Sequence, residues 1–434
     1  GLISENIGEL NKQELIDILI HKDIDLQVQN YEEDIVKETI QNILQLRGIQ
    51  EKNGEEGCNR YVISNSESVF SVLFVYGLFR WCGWESDKIT FDIIPLFETM
   101  KGMESSENTM NELFDLPEYK KHLAQRHNKQ TIMLGFSDGT KDGGYVKANW
   151  EIFKTKEKLS AVCDRNDIKA IFFDGRGGPP ARGGGKTHRF YAAQTKDIAN
   201  NEIQLTIQGQ TITSTYGTKE QFIHNSEQLL TAGLSNNFFG KENVISKESR
   251  QLLEELSDLS FEKYDALKNH DKFIAYLENK STLKYYQKAN IGSRPGKRGH
   301  KKKLELTDLR AISFVGSWSQ LKQNVPGYFG IGTAIKILKD QGKLEDLKKL
   351  FKEVPLFKAL MLNSMMSLAK CYFELTSYMK DDEEYGEFWN ILNEEYLLSK
   401  EMLLLISESK ILMEKESVSR ESVKIRENIV LPLL

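Results

Sequence analysis

Two arginines six residues apart, Arg176 and Arg182, stand among six glycines in the run FFDGRGGPPARGGGKTH (172–188). Fixing glycine costs backbone entropy, so a run this dense is kept where the chain must turn sharply or approach a ligand closely. Two guanidiniums on such a loop point to a bound anion. The letters GGGKT invite a P-loop reading, but that motif needs a glycine five residues before Gly185, where Pro180 stands.

A second constellation is IMLGFSDGTKDGG (132–144), in which Asp138 and Lys141 lie within one turn of each other. Such an Asp can hold a divalent cation, and the ammonium offers a point charge to phosphate or carboxylate. The competing reading is a capped turn with a solvated lysine. Glu98 closes IIPLFE, where a solvated rim carboxylate is the usual occupant. Paired with Asp138, it becomes a two-carboxylate magnesium site completed by water and substrate oxygens. Further along, IGSRPGKRGH (291–300) precedes Lys301, Lys302, Lys303 and then Arg310. The lysines read as a solvated loop; Arg294 and Arg310, beside a glycine turn and an apolar stretch, are the better anion ligands. His188 and the other six histidines form no metal-ligand pattern, and a structural role suits each.

Elements must position these groups. Short apolar runs rich in β formers occur at Ile89–Phe97, Gln130–Phe136, Ile168–Phe173, Ile203–Ile212 and Ala311–Val315, and helical segments separate most of them. That alternation predicts parallel strands with crossover helices. Glu98, Asp138 and Arg176 then fall at successive strand ends, where an α/β barrel places its chemistry. Lys12 to Arg47 has helical apolar spacing with a turn near His21–Asp25, Arg47–Gly57 reads as a polar link, and Val69–Trp84 as a core helix interrupted by Arg80. From Gly342 to Ser409 the pattern is helical throughout. The expected division is a helical segment over 1–85, barrel strands with active-site loops over 86–335, and a helical region over 336–434.

With 434 residues, 40% of them apolar and 28% charged, the composition is that of a soluble globular protein. A net charge of −5 gives no general attraction to nucleic acid or to an anionic membrane, so anion binding must be local. Cys58, Cys82, Cys163 and Cys371 are far apart, which argues against a zinc site or a disulfide framework and for a cytoplasmic location. No signal peptide or bilayer-spanning run is visible. Opening at Gly1 and ending in IVLPLL, the chain reads as cut at both ends.

Taken together, PLFET (95–99), IMLGFSDGTKDGG (132–144), FFDGRGGPPARGGG (172–185), QG (208–209), IGSRPGKR (291–298), LRAISFVGSWSQ (309–320) and LAK (368–370) resemble the phosphoenolpyruvate carboxylases. The matches fall in the family's order over most of the chain. The resemblance implies a TIM-like α/β barrel of eight strands with predominantly α-helical additions, of which this chain carries only part. It implies a homotetramer using Mg2+ or Mn2+, with Glu98 and Asp138 as metal ligands and Lys141, Arg176 and Arg182 as catalytic residues. Arg176, Arg294 and Arg310 would bind the substrate phosphate, while Lys370, Arg426 (in IRENIVLPL) and Arg182 would hold an acidic effector. The implied reaction is attack of bicarbonate on phosphoenolpyruvate to give carboxyphosphate and an enolate, then capture of carbon dioxide to form oxaloacetate for the tricarboxylic acid cycle.

Departures from the family pattern are specific. Asp174 stands where a histidine is usual, Gly139 and Thr140 replace a serine and its neighbour, and Leu321 and Lys322 replace a segment that normally carries an arginine. Inhibition by aspartate therefore does not follow from the resemblance. The family's Thr-Ala-His-Pro histidine motif, a further substrate arginine and a final asparagine are absent from this sequence, so the chain is expected to be inactive alone. The alternatives are a noncatalytic phosphoanion-binding or regulatory module on the same barrel, and a dikinase-like barrel, for which no phosphohistidine segment is evident.

Overall fold

The structure, a computed structural model, describes residues 7–198, 201–207, 209–238, 243–286 and 304–430. It divides into two compact units that interleave along the chain: Gly1–Leu134, Thr155–Asp174 and Ala199–Gln204 form the first, and Gly135–Lys154, Gly175–Ile198 and Leu205–Leu434 the second.

The first unit is built on a five-stranded sheet of β1 (Arg60–Ile63), β2 (Asp92–Phe97), β3 (Lys129–Gly135), β4 (Lys169–Gly175) and β5 (Ile203–Leu205), hydrogen-bonded in chain order. β1 and β2 are parallel with Arg60 opposite Asp92, as are β2 and β3 with Leu96 opposite Met133. Ile93, Ile94, Phe97, Ile132, Leu134 and Phe172 are all buried, so the strands are apolar on both faces, as parallel strands covered by helices must be. Helices Val69–Trp81, Met100–Asp115 and Tyr145–Arg165 fall between successive strands. This is an α/β fold, consistent with part of a barrel. After Leu134 and again after Asp174, at the carboxyl ends of β3 and β4, the chain passes into the second unit.

The second unit is mainly helical. Phe273, Tyr276, Phe314, Trp318 and Phe388 form a buried aromatic cluster, with Tyr276 stacked on Trp318 at a centroid distance of 6.0 Å. Each such side chain contributes roughly 1.5–3 kcal/mol by its burial. Helix Ile331–Asp340 lies so close to Gly386–Ser407 that a Cβ on Gly332 would stand 2.4 Å from the Ser399 nitrogen. At its amino end the buried Glu395 carboxylate accepts hydrogen bonds from the Gly330 and Thr333 amides, 3.1 Å each, replacing the partners those amides lack in a helix.

Several expectations are corrected. Ala311–Val315 is not a strand but the start of helix Ala311–Gln320, because its buried residues Ala311, Phe314, Val315 and Trp318 recur at helical intervals. Of Ile203–Ile212 only Ile203–Leu205 is strand, since Ile207 and Ile212 are exposed and give a longer strand no face to bury, and Gly209 opens helix Gly209–Tyr216. Arg47–Asn53 is the last part of helix Asp34–Asn53, which stops at Gly54 with φ +80°. β3 ends at Gly135, so Asp138 lies in the first turn of helix Phe136–Gly143. β1 had no clear signal, because its residues are only partly buried. No helix among the described residues is long and apolar enough to cross a membrane.

Candidate active site

In the first unit, Glu98 follows β2 directly and is buried, with Oε1 accepting a hydrogen bond from the Asn65 amide at 3.0 Å. Thr99, the next residue, caps helix Met100–Asp115 through its hydroxyl, which accepts from the Gly102 amide. The carboxylate is thus fixed between a strand end and a helix start. Asp174, near the end of β4, is fully buried and forms an ion pair through both oxygens with Lys156 Nζ, at 2.8 and 2.9 Å. Lys156 also lies over the Phe172 ring at 5.1 Å. The lysine neutralises the acid, so Asp174 adds no net negative charge to the strand end.

The second unit gathers most of the other expected residues. The SDGTKDGG segment is helix Phe136–Gly143, ended by Gly144 at φ +75°; a Cβ there would stand 3.0 Å from the Tyr264 ring. Lys141, 8% exposed, donates to the Leu309 carbonyl at 2.7 Å and lies 3.5 Å from Asp138 Oδ1. The Tyr264 hydroxyl donates to the Lys141 carbonyl at 2.8 Å and anchors the same turn. Arg310 follows Leu309 as the N-cap of helix Ala311–Gln320, so Lys141 and Arg310 belong to one neighbourhood.

The glycine loop is folded on itself. The Gly177 amide donates to the Arg182 carbonyl at 2.5 Å, and the Gly184 amide to Pro179 at 2.9 Å. A Cβ on Gly184 would fall 1.8 Å from the Gly178 oxygen, which is why this closure requires glycine. Arg176 and Arg182 are both buried. Arg176 Nε donates to the Gly183 carbonyl at 2.6 Å, and its guanidinium lies 4.3 Å over Phe190. Such a cation–π contact is worth about 0.5–2 kcal/mol and holds the planar group in one orientation. Arg182 Nε donates to Ser137 Oγ at 3.1 Å; burial lowers its pKa, and Asp138 opposes that shift. The loop arginine and the Asp138 segment therefore meet.

Two cavities flank the loop. One, of about 530 Å³, is lined by Arg176, Lys186, His188 and His224. Burial, together with Arg189, Lys186 and His224, lowers the His188 pKa, which marks a positive field. The other, of about 580 Å³, brings Lys370 and Arg426 together with Lys322 and Pro179, whereas Arg182 points to Ser137. Burial, then Arg426 and Lys322, lower the Lys370 pKa, so an anion in this cavity would meet concentrated positive charge. Arg294 lies outside the described residues, as does Gln208.

Among the described residues no group of three or more His, Cys, Asp or Glu side chains forms a metal site. Glu98 in the first unit and Asp138 in the second are each carboxylates, the hard oxygen donor type that suits Mg2+ or Mn2+. Residues that the sequence did not single out are Lys156, Tyr145, Asn363 and Glu416. Glu416 pairs with Lys186 at 2.9 Å and with Arg189 at 2.7 Å; burial would push its pKa up, and these two partners outweigh that and lower it. No local pattern marks any of the four.

The family model for phosphoenolpyruvate carboxylase matches residues 5–434. Phosphoenolpyruvate carboxylase of Corynebacterium glutamicum is 33% identical over 388 residues, which is 86% of this chain and 42% of that protein. The Corynebacterium efficiens enzyme is 33% identical over 389 residues, and that of Nitrosomonas eutropha 33% over 402, or 89% of this chain and 43% of that protein. The chain thus spans less than half the length of the curated relatives it matches. With the loop, the SDGTKDGG helix and the Leu309–Arg310 segment all inside the matched region, the chain belongs to the phosphoenolpyruvate carboxylase family.

Proposed function

We propose that this chain carries the phosphate-binding part of a phosphoenolpyruvate carboxylase, and that the full-length protein converts phosphoenolpyruvate and bicarbonate to oxaloacetate and phosphate. The observation that carries the reading is the meeting of Lys141, the Leu309–Arg310 segment, Arg182 and Asp138 within one unit. Arg176 and Arg310, with Arg294, bind the phosphate, and Lys141 offers a point charge to the substrate's phosphate or carboxylate. Cations placed in advance where negative charge develops lower the barrier without reorganising during the reaction. Arg182 and the folded glycine loop keep water from the enolate, which would otherwise be protonated to pyruvate. Glu98 and Asp138 are the carboxylates we assign to Mg2+ or Mn2+, which when bound would supply Lewis-acid stabilisation of negative charge.

The same proposal takes the five strands as part of an eight-stranded barrel in a cytoplasmic homotetramer. It assigns an acidic effector to the cavity of Lys370 and Arg426. Because the chain matches only 42–43% of its relatives' length, it is expected to be inactive by itself. Bicarbonate-dependent oxaloacetate formation, coupled to NADH oxidation by malate dehydrogenase, tests both statements. Activity in the full-length protein that falls at least 100-fold on Arg176→Ala supports the reading, by the usual cost of losing one preorganised charge. Phosphoenolpyruvate binding without magnesium dependence and without turnover would instead favour a noncatalytic anion-binding module.

A further inference from the structure

The glycine loop owes part of its order to a helix that carries none of the recognisable motifs. Arg176 is oriented by the Gly183 carbonyl, and the next carbonyl, that of Gly184, accepts a hydrogen bond from Asn363 Nδ2 at 3.2 Å. Gly183 and Gly185, on either side, have φ of +77° and +117°. Backbone flanked by such glycines rotates freely unless something external holds it. Asn363, on helix Pro355–Ala369, packs directly against this segment: a Cβ on Gly185 would stand 2.3 Å from its Oδ1. Asn363 also acts on the buried hydroxyl of Tyr145, which is 1% exposed: burial raises the Tyr145 pKa and the Asn363 side chain opposes that shift. Tyr145 follows Gly144 and opens helix Tyr145–Arg165, so it is tied to the Lys141 turn by a single residue. Asn149, Arg176, Gly183 and Asn363 line one narrow cavity, which places the amide beside the arginine it would steady.

We propose that Asn363 is a positioning residue: supported by Tyr145, it clamps the Gly183–Gly184 backbone and thereby fixes the guanidinium of Arg176 relative to the Lys141 turn. Its catalytic consequence rests on the carboxylase reading; its structural consequence does not. Asn363→Leu removes the donor at similar volume, and Tyr145→Phe removes only the hydroxyl.

Two readouts separate the possibilities. Arg182 is 8% exposed, so in this chain trypsin cuts after it only when the loop opens, and limited proteolysis at that bond reports the clamp directly. Cleavage there is expected to be about tenfold faster in Asn363→Leu and several-fold faster in Tyr145→Phe, the scale of one lost hydrogen bond. Cleavage within the helices should be unchanged, which distinguishes an opened loop from a misfolded chain. In the full-length enzyme, KM for phosphoenolpyruvate is expected to rise roughly 3- to 10-fold in Asn363→Leu, with an unchanged melting temperature. An unaltered cleavage rate at the loop overturns the proposal, and so does faster cleavage with KM unmoved in an active enzyme. If the wild-type full-length protein makes no oxaloacetate, the carboxylase reading falls and the proteolysis alone decides whether Asn363 is the clamp.

Discussion

Removing either member of the Lys156–Asp174 pair should destabilise the first unit far more than removing both. The two side chains are 1% and 0% exposed and meet at 2.8 Å, so neither charge has water to turn to when its partner is lost. Breaking a buried pair from one side typically costs about 3–5 kcal/mol, because an uncompensated charge stays in a low-dielectric interior. Against a total stability of roughly 5–15 kcal/mol, that is a large share. Lys156→Met and Asp174→Asn should each show a loss on that scale, with Lys156→Met also losing the contact over Phe172. Lys156→Met with Asp174→Leu should return to within about 1–2 kcal/mol of the wild type, since an apolar pair avoids the desolvation of both ions. The assay is urea denaturation followed by hydrogen exchange on the peptide covering Lys169–Gly175, which isolates the first unit where the chain as a whole need not unfold in one step. A single variant costing under about 1 kcal/mol, or a double variant as unstable as the two single losses added together, would refute the argument.

Other expectations follow the same physics. In the full-length protein Arg176→Lys keeps the charge but loses the planar contact over Phe190 and the fork geometry, so kcat/KM should fall at least tenfold, measured by oxaloacetate formation. Glu395→Ala strips the carboxylate from the Gly330 and Thr333 amides and should cost about 2–4 kcal/mol by thermal melting, whereas Glu395→Gln, which keeps one acceptor oxygen for both amides, should cost less. His122 is buried between Tyr76 and Tyr119, and burial, aided by Arg126, pushes its pKa down to about 4. The unfolded chain therefore binds more protons than the folded one between about pH 6.5 and pH 4. Stability should be full above that window and fall by about 3 kcal/mol across it on acidification. Urea midpoints taken from pH 7 to 4 check this; in His122→Phe the decline should be shallower by that amount, and an unchanged pH profile would remove histidine from the explanation.

Much of the architecture was legible because it is encoded locally. Strand runs such as IIPLF and IKAIFF are apolar on both faces, helix Val69–Trp81 is apolar almost all round, and the glycine spacing of 175–185 can serve only a tight loop. The misreadings came where local preference is ambiguous. AISFV has β formers but buries a helical stripe against aromatic side chains far along the chain, and Ile207 and Ile212 look like strand residues but have nothing to bury against.

By itself, then, the sequence determined the residue types of the candidate site, their order and the family, because motifs carry chemistry in short stretches. Only the tertiary structure decided the partners: Lys156 for Asp174, the Leu309 carbonyl for Lys141, Ser137 for Arg182 and Asn363 for Gly184. Those pairs span 18, 168, 45 and 179 residues. Contacts of that separation exist only after helices and strands have packed, when burial removes water as the competing partner and makes each polar group depend on the one neighbour it is given.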